Sequence, residues 1–244
     1  MRPVVLWSVL LLAACHHVEQ RPAGDAAGQF ADAMRLFRHG EFADAQSGFQ
    51  RIQFDLPVRD TLQARVRFYL AECYAGQGEL ITAIREFRRV ADDYPADPLA
   101  PVSLMRIGDS YGQLWRRPEL DPSNGQTAIA TYQELVGRYP DAPATRIAAQ
   151  RVRDLQEKFA QKDYASGLFY FKRNAFDSAI LYFRGLIVQY PSSSVVPDAY
   201  IRLAQAYKAI SYREELRDVC DHLNQNWGGR RDVRQVCGNG SPGR

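Results

Sequence analysis

One spacing recurs four times along the chain. Ala45, Phe49 and Pro57 are followed by Ala83, Phe87 and Pro95, by Ala128, Tyr132 and Pro140, and by Ala179, Phe183 and Pro191. In each set the aromatic residue stands four positions after the alanine and the proline twelve after it. A period of this kind restricts the chain to architectures that stack one supersecondary unit, because each unit buries its apolar face only against its neighbours.

Running backwards from each alanine completes a tetratricopeptide-like unit: Gly40 and Phe42, Gly78 and Leu80, Asn174 and Phe176. Glycine or asparagine supplies the left-handed residue that ends one helix. The alanine of the next helix then lets two backbones approach, the aromatic one turn later fills the space between them, and proline stops the helix. First helices carry small residues at Ala33, Ala71, Gly108, Gly167 and Ala204, with Leu36, Tyr74, Tyr111, Tyr170 and Tyr207 three positions on. A fifth unit lacks the signature in its second helix, which runs from Arg213 to Asn226 with Leu216, Cys220 and Leu223 on one face. Terminal repeats commonly depart from consensus because they cap the stack. Apolar residues recur at three and four rather than at two, which excludes strands. The expected fold is all-α, a superhelical array of about five tetratricopeptide-like helix hairpins.

The four alanines lie 38, 45 and 51 residues apart, so the array is longer than a plain tandem repeat. Trp115 to Gly125, with Pro118 and Pro122, reads as a loop inserted in the third hairpin. From Ala144 to Arg173 there is no proline and Gly167 is the single glycine, so the first helix of repeat four extends backwards as a strut of roughly 45 Å. The expected division is repeats 1 to 3 over 25–140, the long linking helix with repeats 4 and 5 over 141–227, and a flexible tail over 228–244.

The N-terminus reads as a targeting segment over 1–14. Arg2 precedes the apolar run Pro3 to Leu12, which is too short for a bilayer span of roughly 20 residues and the right length for a signal-peptide core. Leu12-Ala13-Ala14-Cys15 resembles the bacterial lipobox, in which the chain is cut before the cysteine and diacylglycerol is attached to its sulfur. The plain alternative is an ordinary secretory signal ending in small residues. Lipidated Cys15, carrying diacylglycerol and palmitate, would begin a tether over 15–24, and His16 after it favours release to the outer membrane. Stable anchoring takes more than one acyl chain, which triple acylation supplies.

The remaining residues point away from chemistry. Cys73 lies among apolar helix positions as a small hydrophobe. A bridge between Cys220 and Cys237 would staple the glycine-rich tail to the last helix, although spacing alone does not set its geometry. None of His16, His17, His39 and His222 stands at metal-site spacing, and no nucleophile elbow, P-loop or dinucleotide fingerprint occurs. No metal or cofactor other than the lipid is expected. The formal charge of +3, of which Arg2 contributes one, lacks the basic footprint of a nucleic-acid binder. A non-enzymatic scaffold is the expected class.

The stretches LDPSNGQTAIATYQELVGRYPDAPA (120–144) and EKFAQKDYASGLFYFKRNAFDSAILYFRGLIVQYPSSS (157–194) resemble the BamD family of outer-membrane protein assembly lipoproteins. The likeness joins the insertion loop, the linking helix, the fourth repeat, the lipobox and five repeats. It implies a subunit on the periplasmic face of the outer membrane, beside a BamA-like barrel protein and other assembly lipoproteins. The C-terminal repeats would bind the BamA periplasmic domains and the N-terminal repeats unfolded outer-membrane proteins. Where family members place a BamA-contacting arginine in the second helix of repeat four, this sequence has Tyr182. Arg184 lies two residues on and faces elsewhere. The rival in the same scaffold class is a CpoB-like periplasmic protein of cell division or envelope constriction, whose usual N-terminal coiled coil is missing here and which usually lacks a lipobox.

A peptide groove would form from first-helix positions that the repeat signature leaves free: Phe30, Met34, Phe37, Phe68, Glu72, Met105 and Asp109. Adaptable Met and aromatic rings suit apolar side chains of an extended segment. The same rings could instead pack between neighbouring helices.

Overall fold

The computed structural model describes residues 26–57, 60–116 and 121–238. The expected leader over 1–14, Cys15 with its tether, His16 and His17 lie outside the described residues, as do 117–120 of the insertion and the end of the tail. Eleven helices and no strand occur among the described residues: α1 (Ala26–Arg38), α2 (Phe42–Asp55), α3 (Gln63–Gly76), α4 (Leu80–Asp93), α5 (Leu99–Leu114), α6 (Ser123–Arg138), α7 (Pro143–Phe171), α8 (Phe176–Gln189), α9 (Val196–Ala209), α10 (Arg213–Trp227) and α11 (Arg231–Cys237). The first ten pair as five antiparallel hairpins, each packed on the next. This is the all-α array that the period implies.

The turns follow from the residues that the repeat singles out. Gly40, Gly78 and Asn174 take positive φ, and so does Ser211 at the fifth turn. Each is followed by a residue whose N–H donates back five positions, Glu41 to Leu36, Glu79 to Tyr74, Ala175 to Tyr170 and Tyr212 to Tyr207. These are the six-to-one bonds that close a helix C-terminus around a left-handed residue. At the other end of the hairpins, Tyr94, Tyr139 and Tyr190 leave the helical region ahead of their prolines.

Packing explains the alternation of small and aromatic positions. Ala45, Phe49, Ala83, Phe87, Ala128, Ala179 and Phe183 are fully buried, and Tyr132 nearly so. A Cβ added to Gly108 would lie 2.4 Å from the Tyr132 ring, and one added to Gly167 would lie 2.5 Å from the Phe183 ring. The glycines are therefore sockets for the aromatic of the partner helix.

Helix α7 spans 29 residues and belongs to two cores at once. Its residues up to Phe159, among them Ala148 and Leu155, belong to the core of hairpins two and three, and Ala160 begins the core of α8 to α10. Trp115, at the end of α5, stacks on Phe159 at 4.4 Å, and Phe159 lies parallel to Tyr190 at 6.4 Å. The Trp115 indole N–H donates to the Asp121 carbonyl at 3.0 Å, so the described part of the insertion folds against the array. The loop is shorter than expected, because α6 already begins at Ser123.

The tail also differs from expectation. Residues 231–237 form α11, whose Val233 and Val236 pack with Ile201, Ala204 and Leu223. Arg230 holds its start by pairing with Asp198 at 2.6 Å and Asp232 at 2.7 Å. Two apolar residues in one turn are too few to register as a periodic pattern, which is why the segment reads as tail.

Candidate protein-binding surfaces

The inner side of the array holds a cavity of about 690 Å³ between α3, α5 and α7. Its wall is charged. Arg106 pairs with Glu72 at 2.6 Å and approaches Asp109 at 3.7 Å, while Arg151 of α7 approaches the same Asp109 at 3.7 Å. The Tyr132 hydroxyl donates to Asp109 at 2.7 Å. Burial, followed by this hydrogen bond, pushes the Tyr132 phenol far above its ordinary value, so it remains a donor. Asp154 and Lys158 extend the wall along α7.

A second cavity of about 580 Å³ adjoins the first, with Lys158 lining both. Here the wall is more aromatic. Phe169 is half exposed beneath the Arg173 guanidinium, 3.5 Å from the ring centroid, and Tyr170 stacks on Tyr182 at 5.3 Å. One face of α7 thus floors a groove that passes from charged to aromatic along the helix.

The groove residues expected from sequence are divided by the structure. Glu72 and Asp109 come together through Arg106. Phe30 and Phe68 do not line a groove: Phe30 is buried against Phe49 and Tyr69, and Phe68 against Phe87 and Tyr69. Both rings turn into the gap between adjacent hairpins, where apolar area leaves water. Phe37 is half buried, edge-on to Phe42 and Tyr69, and Met34 and Met105 pack partly into the cores. Arg106, Arg151, Asp154 and Lys158 carry the cavity instead, and their signal in sequence is the spacing of 151, 154 and 158 along one face of a long helix.

Other residues have plain roles. Cys73 is fully buried, and burial pushes its thiol up to about 12, which leaves it unreactive. His222 stacks on Tyr200 at 4.4 Å and meets Trp227, so it is part of the packing and not a free surface residue. Cys220 and Cys237 form a disulfide with a Cα–Cα distance of 5.5 Å, fastening α11 to α10. Among the described residues no group of His, Cys, Asp and Glu is arranged to hold a metal ion. No helix there is long and apolar enough to cross a membrane.

The outward face of α8 leaves two large aliphatic side chains in water. Leu181 is 73% exposed and Val188 79%, two turns apart with Gly185 open between them. These positions share one stripe of the helix. Tyr182 leaves that stripe on the α7 side to reach Tyr170, and Arg184 lies on the α9 side near Tyr207.

The family model described as YfiO, outer membrane lipoprotein, matches residues 22–223. The chain belongs to this family. Its curated relatives include the outer membrane protein assembly factor BamD of Caulobacter vibrioides, 26% identical over 204 residues, which covers 84% of this chain and 63% of that protein. The BamD of Xylella fastidiosa strain Temecula1 is 25% identical over 218 residues, covering 84% of this chain and 74% of that protein. The chain thus spans somewhat less than two thirds of the Caulobacter relative's length. Among solved structures, the TPR2AB domain of yeast Sti1 in complex with pHSP90 matches at 16% identity with a TM-score of 0.46, covering 87% of this chain and 81% of that one. The YfiO match takes in all of the α7 groove and the α8 stripe. It stops before α11 and Cys237, so the stapled C-terminal helix lies beyond the matched residues.

Proposed function

We propose that this chain is a non-enzymatic scaffold of the machinery that assembles β-barrel proteins into the outer membrane. It is held on the periplasmic face by diacylglycerol and palmitate on Cys15. It binds the periplasmic domains of a BamA-like barrel protein through the outward face of α8 and acts beside other assembly lipoproteins. The observation that carries this reading is the exposed stripe of Leu181 and Val188 in the C-terminal repeats, flanked by Tyr182 and Arg184. Two large aliphatic side chains left in water on one helix face lose little conformational freedom on docking and gain apolar burial. The charged-to-aromatic groove along α7 supplies hydrogen-bonding cations and acids for an extended, unfolded outer-membrane protein. It is proposed as the second binding surface, with Glu72 and Asp109 in its wall.

A tagged chain isolated from solubilised membranes should bring down a BamA-like barrel protein. Leu181→Glu with Val188→Glu should abolish that recovery without shifting the melting temperature by more than a few degrees, since both positions are exposed. Unchanged recovery with the double variant would remove α8 as the docking surface. Recovery of division proteins alone would sink the assembly role.

A further inference from the structure

We infer that the rim of the first two hairpins around Phe54 is a membrane contact, seated among the headgroups of the bilayer that holds Cys15. The inference rests on the lipid-anchor reading above. Phe54 is 91% exposed, more than any other large hydrophobic side chain among the described residues. It stands on the last turn of α2, and neither α1 nor α3 covers it. The contacts Phe30–Phe49, Ala33–Gly48 and Phe37–Phe42 fix the antiparallel register of the first hairpin. In that register Phe54 lies level with the first turn of α1, at the end where the tether joins. The chain from Cys15 to Ala26 cannot exceed about 40 Å even fully extended. Of the two ends of the first hairpin, the one that carries Phe54 is therefore nearer the anchor along the chain, and the Gly40 turn lies about 20 Å farther along α1.

The surroundings suit an interface rather than a hydrocarbon interior. Phe54 stands between two shallow depressions of about 540 and 470 Å³. Arg51, Arg67 and Arg89 line them, with Tyr94 at the same rim. Arg51 makes no ion pair among the described residues. Arg67 and Arg89 share Glu86, and the Arg67 Nε is buried without a hydrogen-bond partner. The exposed acids on the same helix ends are Asp55 of α2 and Asp92 and Asp93 of α4, of which Asp92 pairs with Arg138 at 3.1 Å. An aromatic ring seated between arginines places its apolar body at the acyl boundary while guanidinium groups donate to lipid phosphates. A contact of this size adds to a lipid anchor by orienting the array and does not replace the anchor.

The test places Phe54→Trp in the full lipidated chain, reconstituted into vesicles of phosphatidylethanolamine with a minority of phosphatidylglycerol, the acyl chains brominated near the headgroup. Relative to the parent chain, the new emission should shift to the blue and be quenched. The same substitution at Leu181 should report water. Emission from position 54 that remains water-like overturns the proposal, and so does equal quenching at both positions. Emission that changes only on adding solubilised outer-membrane proteins also overturns it, by assigning the rim to a protein partner. Mass spectrometry of Cys15 in the same sample separates the two readings. An acylated chain with a water-exposed reporter removes the rim alone, whereas an unacylated chain removes both.

Discussion

At the scale of single residues, the glycines of this chain divide into sockets and open positions, and the division is measurable. Gly108→Ala would drive a methyl into the Tyr132 ring, whereas nothing lies within 4 Å of a Cβ at Gly112 one turn later. Gly108→Ala should destabilise the chain by about 1–3 kcal/mol through overpacking. Gly112→Ala should stabilise it by up to about 1 kcal/mol through helix propensity. Thermal melts followed by circular dichroism would separate the two signs, and equal shifts would refute the socket. A second prediction concerns Glu134, which accepts from Arg88 at 2.7 Å and from Arg138 at 2.8 Å. Burial alone would raise its carboxyl, but the hydrogen bonds from both arginines outweigh that and hold it below the ordinary value. A depressed folded value contributes stability that is complete above the unfolded value and lost as pH falls through the folded one. Glu134→Gln should therefore cost about 1 kcal/mol at neutral pH and flatten the loss of stability below pH about 4.5. Urea titrations of both chains across the acid range would check it. The sockets were legible in sequence because alanine, glycine and aromatic recur in register. Half of the Glu134 pairing was legible too, since Arg138 stands at the i,i+4 spacing of one helix face, but Arg88 lies 46 residues away with no pattern linking it.

At the scale of elements, the helices that repeat were readable and the one that does not was missed. Tyr-Pro pairs and left-handed turn residues mark hairpin ends because only certain backbones accept them. Helix α11 lacks such marks, and its order depends on contacts made far away in sequence, at Asp198, Ile201 and Cys220. Cutting the bridge should therefore act on α11 first. Cys237→Ser closes no loop in the unfolded chain and should cost about 3 kcal/mol for a separation of 17 residues. Hydrogen exchange at Val233 to Val236 should accelerate well before exchange in α9. Protection that survives in α11 would show that the valines alone hold it.

At the scale of the whole molecule, stacking order was legible and surface character was not. A period states which residues face neighbouring helices, so the array and its five hairpins follow from it. It does not state which of the remaining first-helix positions turn into the cores and which face the cavity, and Phe30 and Phe68 went into the cores while Arg106 and Arg151 lined the cavity. The seam formed by Trp115, Phe159 and Tyr190 joins the insertion, α7 and the turn after α8. Phe159→Ala should cost about 3–5 kcal/mol and lower the melting of both halves together. A loss confined to one half would refute a shared seam. These three rings are a keystone: a load borne at the outer face of the fourth repeat leans on the same indole that shuts the third. Any partner that tilts one arm of the array must therefore tilt the other with it or pull the stack apart, and the light emitted by Trp115 would tell which.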